Sequence, residues 1–120
     1  MRIEDSALDV ELGAQVVELG RERTVVRYPV AGNTQPEGLW HGGASAVAAE
    51  TAASLAAGAE GQSARGVSLN VNHLRPVREG YVTAVASAMR LGKRVCVYQV
   101  ELVDDAGNVV AVATVTVAVK

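Results

Sequence analysis

Apolar and polar positions change rhythm twice along the chain. Residues 15–19 and 23–30 read as two short β-strands joined by a Gly20-Arg21-Glu22 loop. In the second, Arg23, Val25, Arg27 and Pro29 alternate with Thr24, Val26, Tyr28 and Val30, which makes one face the more apolar. Residues 31–40 break the alternation with Gly32, Asn33, Pro36 and Gly38, the chemistry of a loop. Residues 43–59 then predict the one long helix, rich in the strong helix former alanine, with Gly58 and Gly61 marking its exit. From Val67 the period returns to that of strands. Runs at 67–74, 81–90, 94–104 and 109–119 are separated by turn signals at 76–80, 91–93 and 104–108. Two strands, one helix and four strands with tight turns predict an α+β layer. An antiparallel sheet of about five to six strands packs one face on a single long helix.

Length and composition narrow this picture. The 120 residues suit one domain, 1–120, with 49% apolar and 20% charged residues and a net charge of −2, a globular composition. The chain has no Phe and only four aromatics (Tyr28, Trp40, Tyr81 and Tyr98), so Ala and Val must supply the core. Such a core is thin and tightly packed, and a chain this small often oligomerises. The near-neutral charge argues against a general nucleic-acid binder. No apolar run reaches bilayer length, and residues 1–13 lack a charged-then-apolar signal, so neither membrane nor export is expected. A single cysteine, Cys96, cannot close an internal disulfide, which points to a reducing, cytoplasmic setting.

The helix carries the first candidate chemistry. Glu50 is the only charged residue between Trp40 and Ala59, other than the histidine at its start, in a segment apolar or small on nearly every face. One reading puts Glu50 on a solvent stripe with Ser45, Thr51 and Ser54. The other holds its carboxylate in a partly dry cleft that marks a functional site. His41-Gly42-Gly43 opens the helix, where unpaired N–H groups and the helix dipole favour an oxygen ligand, although a glycine pair is also a plain turn. Gly42 and Glu50 are eight residues apart, roughly 12 Å along one helix. A reacting carbonyl needs its oxyanion donor and its attacking group within about 3–3.5 Å. If both act, Glu50 must therefore come from a second subunit whose helix runs antiparallel to the first.

Charge is also uneven. Residues 62–100 hold Arg65, Arg75, Arg78, Arg90, Lys93 and Arg94 against the single acid Glu79. Clusters at turns could grip phosphates, or could be solvated strand surface. His41, His73 and one cysteine fit no metal pattern, so no metal is expected. Cys96, in the middle of a strand, reads as core. Neither a G-x-S-x-G elbow nor G-x-G-x-x-G is present.

The stretch Gln35-Pro36-Glu37-Gly38-Leu39-Trp40-His41-Gly42-Gly43-Ala44-Ser45, with Ala49-Glu50 and Ser54, resembles the hotdog-fold acyl-CoA thioesterases. Within them it is most similar to the branch of Glu-dependent 4-hydroxybenzoyl-CoA thioesterase, the PaaI-like proteins and 1,4-dihydroxy-2-naphthoyl-CoA thioesterase. The similarity runs on through Asn70-Val71-Asn72-His73-Leu74-Arg75, Arg78-Glu79-Gly80 and Leu91-Gly92, and covers about residues 12–119.

The resemblance implies a hotdog fold, a sheet wrapped around the long helix, and a homodimer essential for the site, often paired into a homotetramer. It implies hydrolysis of an acyl-CoA, with an aromatic or polycyclic acyl group, and no cofactor beyond the coenzyme A of the substrate. Glu50 corresponds to the nucleophile or general base, the Gly42 amide to the oxyanion donor and Gln35 to the amide that orients thioester or water. His41 matches a histidine beside the thioester, and Ser54 a hydroxyl that positions water. The nucleotide end of CoA would lie near Gly66, near His73, Leu74, Arg75 and Pro76, and near Arg90, Leu91, Gly92, Lys93 and Arg94. Three departures bear on the acyl group. The family's N-terminal helix, which covers part of the acyl pocket, has little sequence before Leu12. The loop 59–64 is short, and Trp40 replaces a common aliphatic residue and is expected to narrow the acyl pocket. Other expectations are a non-catalytic acyl-CoA binder or sensor, a thioesterase for carrier-bound chains, and a dehydratase- or cyclase-like enzyme, for which His41 is poorly placed.

Overall fold

A computed structural model describes residues 2–120; Met1, the first residue of the stretch read for a signal, lies outside them. After a 3-10 turn at Ile3–Asp5 come α1 (Ala7–Leu12), β1 (Gln15–Glu18), β2 (Arg23–Pro29) and α2 (Gly42–Ala57). β3 (Ala64–His73), β4 (Tyr81–Leu91), β5 (Val95–Val103) and β6 (Val109–Val119) follow. All six strands form one antiparallel sheet in the order β1-β2-β4-β5-β6-β3. The chain thus leaves β2, crosses the inner face of the sheet as α2, and returns on the far edge as β3.

The alternation of the strands decides which face meets the helix. Val82, Ala84 and Ala86 of β4, Cys96, Tyr98, Val100 and Leu102 of β5, and Val115 and Val117 of β6 are buried. Ala48, Ala49, Ala52, Ala53, Ala56 and Ala57 of α2 are completely enclosed against them. Helix residues without side-chain bulk let the helix axis approach the sheet, so the strands curl around it. No helix among the described residues is long and apolar enough to cross a membrane.

Two differences from the sequence reading have physical causes. The first turn and α1 were not visible in the pattern, because six residues are too few to display a helical period and the only buried residue of α1 is a carboxylate, Asp9. The N-terminal helix is therefore present, although short. β3 begins at Ala64 rather than Val67, and its pairing with β6 shifts register between Gly66 and Ser68. This bulge, opened by a glycine, hides the first residues of the strand from a period of two.

Candidate active site

The loop before α2 is pinned from several sides. The Trp40 N–H donates to the Val77 carbonyl at 2.7 Å, the His41 N–H to the Asn33 carbonyl at 2.9 Å, and the Trp40 indole N–H to Ser45 Oγ at 2.7 Å. Trp40 is thereby fixed in the core. The Gln35 side-chain oxygen accepts from the Glu37 and Leu39 amides of its own loop. That leaves the Gln35 NH2 group as the free end of a positioned side chain.

His41 caps the helix: its Nδ1 accepts from the Gly43 N–H at 2.8 Å. The adjacent Gly42 N–H has no acceptor among the described residues. The His73 ring closes over Gly42, so a Cβ there would stand 2.9 Å from His73 Nε2. Gln35, Gly42, His73, Leu74, Arg75 and Pro76 line one cavity of about 380 Å³.

Glu50 lies two turns along α2 and is solvent-exposed, so the partly dry cleft is not supplied within one chain. Neither does it share a solvent stripe, because Ser45 and Ser54 are buried. Its carboxyl group rests on Gly66, where a Cβ would stand 2.9 Å from Cδ and Oε2. Glu50, Ser54 and Gly66 line a second cavity of about 760 Å³, whose outer wall includes Ile3, Leu8 and Asp9 of the N-terminal segment. Trp40 is not among the residues around it and lines the smaller cavity instead.

The positions read as a phosphate grip divide as well. Gly66 and His73 are seven residues apart on β3, a span of roughly 20 Å. The hairpin that carries Arg90, Leu91, Gly92, Lys93 and Arg94 sits at the Gly66 end, since Val95 and Arg65 both pair with Ala118. Arg90, Lys93 and Arg94 are exposed, and the ion pairs among the described residues involve only Arg2–Glu4 and Arg23–Glu18. Arg21, not singled out in the sequence, donates to the Gly92 carbonyl at 3.4 Å. Also unforeseen is a polar knot on the larger cavity, where Tyr28, Thr51 and Ser6 all donate to the Asp9 carboxylate. Only the local Ser6-x-x-Asp9 spacing hints at it, as a helix start.

With this geometry in place, comparison with known proteins is decisive. The Thioesterase superfamily profile matches residues 37–111. The chain belongs to the thioesterase superfamily. It is 39% identical over 105 residues to 1,4-dihydroxy-2-naphthoyl-CoA hydrolase of Escherichia coli, covering 84% of this chain and 77% of that protein. Among solved structures, a thioesterase from Haemophilus influenzae superposes with a TM-score of 0.91 at 32% identity, covering 100% of this chain and 91% of that one. A Staphylococcus aureus thioesterase superposes with a TM-score of 0.90 at 28% identity, covering 96% of this chain and 99% of that one. Two structures of that protein carry alanine for Gln at position 32 and for Glu at position 47, the separation that Gln35 and Glu50 have here. This thioesterase has the hotdog fold, and it is a thioester hydrolase rather than a non-catalytic binder.

Proposed function

We propose that the enzyme hydrolyses aryl- or polycyclic-acyl-CoA to the free acid and CoA, at sites shared between two protomers. The carrying observation is that the free Gly42 amide and the Glu50 carboxylate line different cavities of one chain. A two-fold axis near Ala46, midway between them, sets Gly42 of one protomer opposite Glu50 of the partner subunit. The face of α2 around Ala46 that the chain leaves partly open is small (Gly43 exposed, Ala46 and Val47 half-buried), which permits close approach of a second helix. β3 is a sheet edge, exposed over most of its length, with Val67 65% exposed, and it suits pairing with a second β3. Pairing of such dimers into a tetramer is the further expectation.

In this arrangement the Gly42 N–H donates to the thioester oxygen and stabilises the negative charge that builds there. The Glu50 carboxylate either adds to the acyl carbon, displacing the CoA thiolate and leaving an anhydride for water to cleave, or takes the proton of an attacking water. In both courses one water is consumed, the carbon–sulfur bond breaks, and the thiolate leaves as the thiol. Gln35 supplies an amide donor beside the thioester, and Ser54 a hydroxyl beside Glu50. His41 fixes the helix start and so aims the Gly42 N–H. The 73–76 turn of one protomer and the Gly66 end with its 90–94 hairpin in the other would hold the CoA phosphates.

The test is thiol release from a panel of benzoyl-, hydroxybenzoyl-, dihydroxynaphthoyl- and medium-chain-CoA esters. Glu50→Gln is expected to lower kcat about 10³-fold while the fold is kept. Gly42→Val, whose side chain would collide with the His73 ring, is expected to inactivate as well. Co-expressing the two variants restores about a quarter of wild-type turnover, because half the dimers are mixed and each holds one intact site. Mixed dimers without activity would overturn the shared site.

A further inference from the structure

The outer wall of the larger cavity is held in an unusual way. Residues 2–12 bury no apolar side chain completely: Ile3 and Leu12 pack half-buried against the core, Asp9 is the one buried residue of α1, and the 3-10 turn has none. Leu8 is 56% exposed and Val10 57%. The segment's fully buried anchor is polar. Tyr28 on β2 donates its hydroxyl to Asp9 Oδ1 at 2.6 Å, and Thr51 on α2 donates to the same carboxylate at 2.9 Å. Ser6, the cap of α1, donates to Oδ2 at 2.5 Å. Beyond the helix end, the Asn33 side-chain NH2 donates to the Leu12 carbonyl at 2.8 Å.

We propose that Asp9 is a positioning and specificity residue of this thioesterase, a latch that holds the N-terminal helix as a detachable wall of the acyl cavity. The inference rests on the larger cavity being the acyl site. Hydrogen bonds to a buried carboxylate are short and strong, yet they vanish together if the segment moves, whereas an apolar interface yields gradually. A segment docked this way, with little apolar burial of its own, belongs to the parts of a fold that open locally. Thr51 directly follows Glu50, so the latch closes on the helix that carries the carboxylate of the site. A bulky acyl group that fills the cavity lies against Leu8 and Ile3 and covers apolar surface now open to water, whereas an acetyl group is too short to reach them. Docking of the wall and binding of the bulky acyl group therefore reinforce one another.

The latch is read in two ways on the intact enzyme. In Thr51→Val, which keeps side-chain shape and removes one donor, and in Asp9→Ala, amide hydrogen exchange of Val10, Gly13 and Ala14 is expected to rise about tenfold, the equivalent of about 1.4 kcal/mol of lost docking. The ratio of KM for naphthoyl-CoA to KM for acetyl-CoA rises by a similar factor, with the change carried by the naphthoyl ester. Asp9→Asn, which retains one acceptor oxygen, recovers part of both effects. Exchange that stays at the wild-type rate in folded Thr51→Val overturns the latch. Faster exchange with an unmoved KM ratio overturns its role in specificity. Failure of the acyl-site reading itself shows elsewhere, as full turnover in Glu50→Gln, and leaves the exchange result standing.

Discussion

The two cavities beside α2 offer a thioester opposite things. The smaller one, at the helix start, presents an unpaired amide on Gly42, the amide of Gln35 and the basic turn at Arg75, and no carboxylate lines it. The larger one presents the Glu50 carboxylate, the Ser54 hydroxyl and an apolar wall. Each has a glycine where a neighbouring side chain comes close, Gly42 under His73 and Gly66 under Glu50. The candidate residues Gln35, Gly42, Glu50 and Ser54, close along the chain, are thus divided by the rise of the helix between two cavities, and the proposed two-fold symmetry is the simplest means of joining them.

The sharpest way to separate the halves is to fill each glycine. In Gly66→Ala the new Cβ would meet Glu50 Cδ and Oε2 at 2.9 Å, so the carboxylate itself must move. A displacement near an ångström of an attacking group is expected to lower kcat about 10²-fold. Gly42→Ala meets the exposed His73 ring, which can swing aside, and a loss of about tenfold is expected. Thiol-release kinetics on both variants check the order; a milder Gly66→Ala would mean that Glu50 does not act from the position it occupies here.

A smaller effect is expected at the basic hairpin, which sits at the Gly66 end of β3. Replacing Arg90 and Arg94 with Ala should raise KM for CoA esters several-fold at low salt and much less at high salt, as exposed charge–phosphate contacts are screened. The same acyl group on pantetheine, which lacks the nucleotide phosphates, should show no such rise. An equal rise for both thioesters would remove the hairpin from the phosphate grip.

How much of this is legible in the sequence follows from how local each interaction is. The β5–β6 hairpin is written into four residues: Asp104 Oδ1 accepts from the Ala106 and Asn108 amides, and Gly107 takes the left-handed conformation at φ 86°. The alanine-rich helix and the alternation of β4, β5 and β6 are local as well. The surroundings of Glu50 are not, because they come from Gly66 on an edge strand and, in the proposed dimer, from a second chain. His73 over Gly42 and Asp9 beneath Thr51 join residues far apart in sequence, and no period or propensity marks them. Asp9 is the extreme case: a hydrophobic pattern cannot disclose a helix whose buried residue is a carboxylate.

The least of the expected effects concerns the two buried tyrosines that brace opposite regions of the sheet. Tyr28 is fully enclosed, and burial, followed by its bond to Asp9, holds its phenol well above the ordinary value. Tyr98, which donates to the Arg21 carbonyl at 2.6 Å, is pushed up to about 12 by burial and then by the neighbouring Cys96. Both groups keep their protons in the folded chain at a pH where the unfolded chain releases them. The unfolded state then binds fewer protons, so stability falls as pH rises. Their contribution is complete below about pH 10, declines towards about pH 12 for Tyr98, and continues to decline beyond that for Tyr28. Denaturant unfolding between about pH 8 and about pH 11 tests this. Tyr28→Phe should lose about 1–2 kcal/mol at the lower pH, since a hydrogen bond to a charged acceptor is removed, but should decline less steeply above about pH 10. Wild-type stability that stays level through about pH 11 would mean that the phenols ionise without opening the core, and that the Asp9 knot is looser than its distances indicate.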